Sequence, residues 1–464
     1  MSITHYLSIL FSRQRWRYAL LAALCLHLLL GAYALLKDIT LGLDLSLLIN
    51  SVQFALVQAA LTLLYTSTSK HEGQRYTLDT RQYLTRYRKE RGRFLTLLKD
   101  AQRGEPQAMI GPPADALNDN GFERLLTRHD LMISHSVLEW TPIGTNSAPM
   151  RIGDVTFELM DEWYELPWIV EENGLDTILK RFNAVDRYDY NGLTLATQGW
   201  QATPQGFALT FKKSFYYNYL ATNLVPEFCL PGGLSYRELL EPGPSLSQLS
   251  NALPENHLGL SCMLRTSDGA LIIPRRSQHT NVFKGQLSPS ISGAANISTC
   301  RDSTGGYSPL AWLIQELIEE LPFLADSQDA FPGSLKDALK HTEFLGMTRE
   351  LRRCGKPELF FFLPLPIDAA QVRQLWEQHQ RAAGKAENLT ALQGIDHNEN
   401  AGLLVVDEAQ LFQRIVPRVT QRKRRWPQRN QADFHIVLPQ GEHSDILSES
   451  LLANLILYRL RQQA

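Results

Sequence analysis

Cysteine is scarce in this 464-residue chain: Cys25, Cys229, Cys262, Cys300 and Cys354 are scattered and odd in number. That usage excludes a zinc ribbon or a disulfide scaffold and points to a reducing compartment. Net charge is nearly absent as well, since 46 basic residues meet 48 acidic ones. A globally basic nucleic-acid binder is thereby excluded, and charge has to be read segment by segment. No G-x-x-x-x-G-K-[ST] motif occurs anywhere. The run Gly402-Leu403-Leu404-Val405-Val406-Asp407-Glu408 therefore lacks the phosphate cradle of a nucleotide hydrolase and reads as a core strand ending in acids.

Charge is also missing from two stretches near the N-terminus. Tyr18 to Leu36 spans 19 residues without a charged side chain, about 28 Å as a helix. Leu45 to Tyr65 spans 21 more, about 31 Å. Each is long enough to cross a bilayer. Arg13, Arg15 and Arg17 precede the first, and eight basic residues from Lys70 to Arg93 follow the second against three acids. The positive-inside rule then puts both flanks in the cytoplasm of a two-span anchor, with the lipid bilayer as partner. A signal peptide ending at Ala32-Tyr33-Ala34 is the competing reading, but the apolar run is too long for one and a second span follows at once. Ser46, Asn50 and Gln53 share one helical face, and Ala55 and Ala59 form a small-xxx-small pair, a pattern for self-association or for pairing of the two spans.

The expected organisation is an anchor at 1–66, a basic juxtamembrane helix and linker at 67–120, a mixed α/β segment at 121–250 and a final domain at 251–464. Gly104-Glu105-Pro106 and Gly111-Pro112-Pro113 punctuate the linker. Strand patterns recur at Asp154–Leu159, Leu193–Leu195 and Gly206–Lys212. In a later basic run, Arg414, Arg418, Arg422, Lys423, Arg424, Arg425 and Arg429 stand together with no acid among them. Phosphate contact, inner-leaflet contact and plain surface solvation all fit that run.

Ser308-Pro309 announces a helix that Pro322 ends. Leu310, Leu313, Ile314, Leu317 and Leu321 form an apolar stripe, and Glu316, Glu319 and Glu320 occupy an arc of roughly 100° centred away from it. Three carboxylates that close repel unless a cation compensates, and magnesium or manganese suits their hard oxygens. A solvated acidic face would look the same in sequence. Upstream lie a strand at Leu258–Leu264, a tight connection at Arg265–Gly269, a partner strand at Ala270–Pro274, the pair Arg275-Arg276, and Gly285 to Gly293.

This order of hairpin, basic pair, glycine-bearing strand and Glu-rich helix resembles the Nudix fold over about residues 150 to 464. The second half of the Nudix signature falls on Gln315-Glu316-Leu317-Ile318-Glu319-Glu320-Leu321-Pro322-Phe323. All three helix glutamates match, whereas Gln315 replaces the usual Arg and Pro322 the usual Gly. Tyr307 stands at the earlier Glu position and Arg301 at the Gly position, unless Gly293 is the equivalent glycine with a loop eight residues longer. The signature is degenerate.

A two-span anchor on such a domain resembles the membrane effectors of cyclic-oligonucleotide-based anti-phage signalling (CBASS). That resemblance implies an α/β fold, with two N-terminal transmembrane helices followed by a cytosolic Nudix-like α/β/α sandwich. It implies a cyclic nucleotide or other nucleotide ligand, assembly into a homo-oligomer, no specific nucleic-acid duplex, and a multi-pass location in the bacterial inner membrane, which the spans would damage. Glu316, Glu319 and Glu320 would be the catalytic and metal-binding residues around Mg2+ or Mn2+, with Arg275, Arg276 and Gly293 facing the ligand. The rival expectation is a membrane-tethered hydrolase of nucleoside-diphosphate derivatives, using the same glutamates for metal-assisted attack by water.

Overall fold

A computed structural model describes residues 33, 86–89, 136–143, 149–173, 191–203, 206–228, 234–277, 285–325, 335–383, 400–422, 429–437 and 444–463. The chain divides into two compact units, Met1–Thr77 with Leu166–Asp189 and Leu220–Pro242, and Leu78–Glu165 with Tyr190–Tyr219 and Gly243–Ala464.

In the first unit the described elements are short helices. Ser235 opens the helix Tyr236–Leu240 by a reciprocal capping box with Glu238. Arg237, fully buried, is neutralised by Glu227 at 2.5 Å.

The second unit is built on three sheets. Its strands are β1 (Ser136–Trp140), β2 (Val155–Trp163), β3 (Leu193–Thr203), β4 (Gly206–Phe215), β5 (Gly259–Arg265), β6 (Ala270–Arg276) and β7 (Ile291–Ala294). They continue as β8 (Glu343–Glu350), β9 (Lys356–Pro364), β10 (Asn400–Asp407), β11 (Ile415–Arg422), β12 (Arg429–Val437) and β13 (Ser444–Ile446). The central sheet runs β1-β8-β9-β5-β6-β10, with β7 added on β5. Only the β5–β9 pair is parallel there. Separate three-stranded sheets are β2-β4-β3 and β11-β12-β13.

Alternation along the central strands sorts their side chains onto two buried faces. Leu260, Cys262, Leu264, Ile272 and Phe361 share one apolar core with Trp312, Leu313 and Leu317 of the helix Pro309–Glu320. Met263, Leu271, Ile273, Phe360 and Phe362 share the other with Leu451, Leu455 and Tyr458 of the C-terminal helix Glu449–Gln463. Each such leucine contributes about 1.5–3 kcal/mol by burial.

The fork in this sheet positions the site. β6 pairs with β5 only at Leu264 and Arg265, beside the tight turn, and then diverges to lie along β10. β7 takes the vacated edge of β5, pairing Gly259 to Cys262 with Ala294 to Ile291. The chain between β6 and β7 fills the fork: the Arg276 amide donates to the Gln286 carbonyl and the Ser288 amide to the Pro274 carbonyl, while Ser290 Oγ donates to the Ile272 carbonyl and accepts from the Leu264 amide.

The expected fold class needs correction. The described chain is α/β with sheets, and among the described residues no helix is long and apolar enough to cross a membrane. Its longest described helices, Ala369–Ala383 and Glu449–Gln463, have 15 residues each. At 1.5 Å per residue that is about 22 Å, short of a hydrocarbon core of about 30 Å. The two stretches read as spans, Tyr18 to Leu36 and Leu45 to Tyr65, lie outside the described residues except for Tyr33, as do most of the basic segment and the linker up to residue 120. At the C-terminus, Ser444–Ile446 is strand β13 and the last helix starts at Glu449.

Candidate functional site

The helix Pro309–Glu320 forms as its sequence demands. Ser308 Oγ accepts from the Leu310 amide, Pro309 fills the first helical position, and Leu321 closes the end ahead of Pro322. Its orientation differs from expectation. The buried positions are Pro309, Trp312, Leu313, Glu316, Leu317 and Glu320, so the inward stripe is turned roughly a quarter turn from the apolar one. Glu316 and Glu320 point into the protein, at 8% and 6% exposure, whereas Glu319 is exposed. The three do not share one face.

Polar donors explain the rotation. Glu316 Oε1 accepts from the Trp312 indole at 2.8 Å, a buried bond one helical turn back. Its carboxylate lies against the backbone of Gly293 so closely that any β-carbon there would overlap it. Gly293 therefore serves as an absence, letting a carboxylate rest on strand β7. Glu320 Oε2 accepts from the Ser292 amide at 2.7 Å and Oε1 from the Ser292 hydroxyl at 3.3 Å. Arg276 Nη1 reaches across the fork, donating to Ser292 Oγ at 3.0 Å and lying 3.6 Å from Glu320 Oε1. Glu319 instead accepts from Gln315 at 2.6 Å on the outer surface.

The structure places Arg275 away from the others. Successive strand residues face opposite sides, so Arg275 turns away from Arg276 and binds Asp445 Oδ2 at 2.5 Å. Glu316, Glu320, Arg276 and Gly293 are brought together; Glu319 and Arg275 are not. Ser292 and Trp312 were missed, although Trp312 stands four residues before Glu316, the spacing at which helical side chains meet.

The three glutamates, so arranged, do not fit a magnesium or manganese ion. Glu316 and Glu320 carry protein donors on their oxygens, and Glu319 faces solvent. Among the described residues, no group of three or more His, Cys, Asp or Glu is placed to hold a metal.

A second constellation, unforeseen from sequence, lies on the face of the central sheet that the C-terminal helix covers. Gly259 and Ser261 of β5 and Lys356 and Glu358 of β9 share it, joined by Glu255, His257, Glu350, Arg353 and Tyr219. Each of these polar residues is buried. Ser261 donates to Glu358 at 2.6 Å, and Lys356 Nζ lies 3.8 Å from the same carboxylate. Arg353 holds Glu350 at 3.0 Å and donates to the Tyr219 hydroxyl at 3.2 Å. Thr194 donates to Glu255 at 2.7 Å. Gly259 again admits a neighbour: a β-carbon there would strike the Lys356 ammonium.

Burial sets the protonation of this cluster. It pushes the Glu255 carboxyl up to about 8, against the opposing pull of Thr194, Ser214 and Lys356. Burial likewise raises Glu350 to about 7, opposed by Arg353. His257 falls to about 3, through burial and then repulsion from Lys356, so its ring is neutral at pH 7. Its Nε2 lies 2.9 Å from the Ala295 carbonyl, as the donor if the ring is neutral, which leaves Nδ1 as a buried acceptor with no hydrogen-bond partner among the described residues. Burial lowers Lys356 too. The three described cysteines, Cys262, Cys300 and Cys354, are free and buried, and burial raises the thiols of Cys262 and Cys300. Cys262 and Cys300 are thereby kept as thiols at neutral pH.

What fold and site define together is an α/β protein with a carboxylate–arginine cluster in the fork of a mixed sheet. No protein-family model matches the chain, and no curated protein matches it. Among solved structures, DR0079 from Deinococcus radiodurans is similar at 19% identity, over 33% of this chain and 68% of that one, with a TM-score of 0.19. A score that low carries no argument about fold or function.

Proposed function

We propose that the protein is a nucleotide-responsive effector of cyclic-oligonucleotide anti-phage signalling, whose α/β unit acts as a receptor and not as a hydrolase. The observation that carries the choice between the two is the engagement of the glutamates. Glu316 and Glu320 are held by Trp312, Ser292 and Arg276, and Glu319 lies on the outer surface. A metal-dependent diphosphate hydrolase needs such carboxylates gathered around one point with oxygens available to the ion. A receptor needs a positioned cation instead. Arg276, held through Nη1 by Ser292 and Glu320, is the cation of this cluster, and a guanidinium is the group best matched to a phosphodiester. The resemblance of the hairpin, basic pair and Glu-rich helix to Nudix domains of such effectors supplies the ligand class. The membrane-damaging step of that resemblance rests on residues 1–66, all but Tyr33 outside the described residues, and forms no part of the proposal.

The test is titration calorimetry of the full-length chain against cyclic dinucleotides and trinucleotides, with chromatography of the same mixtures after incubation with Mg2+. One of the cyclic nucleotides should bind and be recovered intact, and Arg276→Ala should weaken its binding at least tenfold. Release of mononucleotides in Mg2+ would establish a hydrolase; absence of binding across the panel would end the receptor reading.

A further inference from the structure

The polar cluster under the C-terminal helix holds more carboxyl groups than cations. Register assembles its centre: Lys356 of β9 stands opposite Glu350 of β8, and Glu358 stands opposite Thr348 of β8 on one side and Gly259 of β5 on the other. Arg353 enters from the turn between β8 and β9, and Glu255, His257 and Tyr219 complete the group. Its three buried carboxyl groups, Glu255, Glu350 and Glu358, share two buried cations, Arg353 and Lys356. Glu449 and Arg352 answer each other at the rim, at 2.7 Å. His257 and Tyr219 carry no charge at pH 7.

With every carboxyl ionised, the cluster would bury one negative charge in excess. A surplus charge away from water is expensive, and a single proton removes it. The upward push of burial on Glu255 and Glu350 agrees with that count.

The cover over this cluster is the C-terminal helix, which packs on β5, β8 and β9. Its first residue, Glu449, lies close enough to Glu350 and Arg353 to act on both. Leu451, Leu455 and Tyr458 hold the helix down, and helical spacing puts Asn454 on the same face. Asn454 is fully buried, and neither polar atom of its amide has a hydrogen-bond partner among the described residues. A buried amide left so weakens the docking. Removing the proton adds a negative charge near Glu358 and Glu449, and lifting the helix lets water reach it. We propose that the cluster keeps one proton as part of the fold and works as a latch: surrendering that proton loosens the C-terminal helix, on the face of the sheet opposite Arg276. The carboxyls bind the proton more tightly folded than unfolded, so the hold is complete below about 4.5 and is lost as pH rises toward about 8.

Infrared difference spectroscopy and hydrogen-exchange mass spectrometry of the full-length chain, between about pH 6 and about pH 9, test this. The infrared spectrum should show a carboxylic-acid C=O band at the acidic end that vanishes toward the alkaline end, and Glu255→Gln with Glu350→Gln should remove it. Corrected for intrinsic rates, exchange in Glu449–Gln463 should rise at least tenfold across the range in the parent, while exchange in Pro309–Glu320 stays level. In the double variant both helices should stay level. The parent alone overturns the proposal if no carboxylic-acid band titrates, or if the two helices gain exchange together. A folded double variant whose C-terminal helix still opens with rising pH overturns it as well.

Discussion

The two faces of the central sheet both bury carboxylates, and they stabilise them by different means. Under the helix Pro309–Glu320, Glu316 and Glu320 receive directed bonds from an indole, a backbone amide and a hydroxyl, with Arg276 alongside. Under the C-terminal helix, Lys356 meets Glu358 at 3.8 Å without a hydrogen bond, and the carboxyls of Glu255 and Glu350 are driven toward the neutral form. The first arrangement is geometric. The second is electrostatic and depends on pH. Anionic groups can thus be buried either by aiming donors at them or by suppressing their charge, and a single sheet does both.

The largest expected effect breaks the second face. Lys356→Met leaves Glu358 without its buried cation and should cost about 3–5 kcal/mol, whereas adding Glu358→Leu should recover most of the loss; urea denaturation of the three proteins measures both. Next, Gly293→Ala places a methyl group in the Glu316 carboxylate and should destabilise by about 1–3 kcal/mol, with nucleotide binding reduced in calorimetry.

A third expectation concerns pH. Glu255 binds its proton more tightly folded than unfolded, so the stability it lends is present below about 4.5 and lost as pH rises toward about 8. His257 acts oppositely, since the unfolded ring takes a proton that the folded ring refuses between about 6.5 and about 3. Glu350, raised to about 7, declines together with Glu255 above pH 4.5, so the His257 slope offsets only one of the two up to 6.5, and the Glu255 decline continues past 7 toward 8. Its steepness is at most about 1.4 kcal/mol per pH unit. The thermal midpoint should fall across that interval, and Glu255→Gln should flatten the fall. An unchanged slope in the variant would remove Glu255 from the account. The smallest effect sharpens the first face: Glu319→Gln should change stability by less than about 0.5 kcal/mol and leave nucleotide affinity unaltered, because its carboxylate lies outside the cluster.

Much of the local structure was legible. Ser308-Pro309 and Pro322 bounded the helix, the alternation through Leu258–Pro274 gave the β5–β6 hairpin, and Gly402–Asp407 became strand β10. The site was legible in part. Glu316 and Glu320 were named, but their helical face was misjudged, because an apolar stripe is a good guide to packing only where no buried polar donors compete. Strand alternation alone would have separated Arg275 from Arg276. The cluster at Glu255, His257, Lys356 and Glu358 gave no signal, since its members come from segments about a hundred residues apart and no spacing rule links them.

By itself the sequence determined the elements, for periodicity, caps and breakers act over a few residues and are written consecutively along the chain. Tertiary structure alone decided which way the Glu-bearing helix turned, which of two adjacent arginines met it, and where charges were buried. Those outcomes depend on donors and dielectric supplied by strands distant in sequence, and the energy of a buried carboxylate is fixed only once its surroundings have assembled.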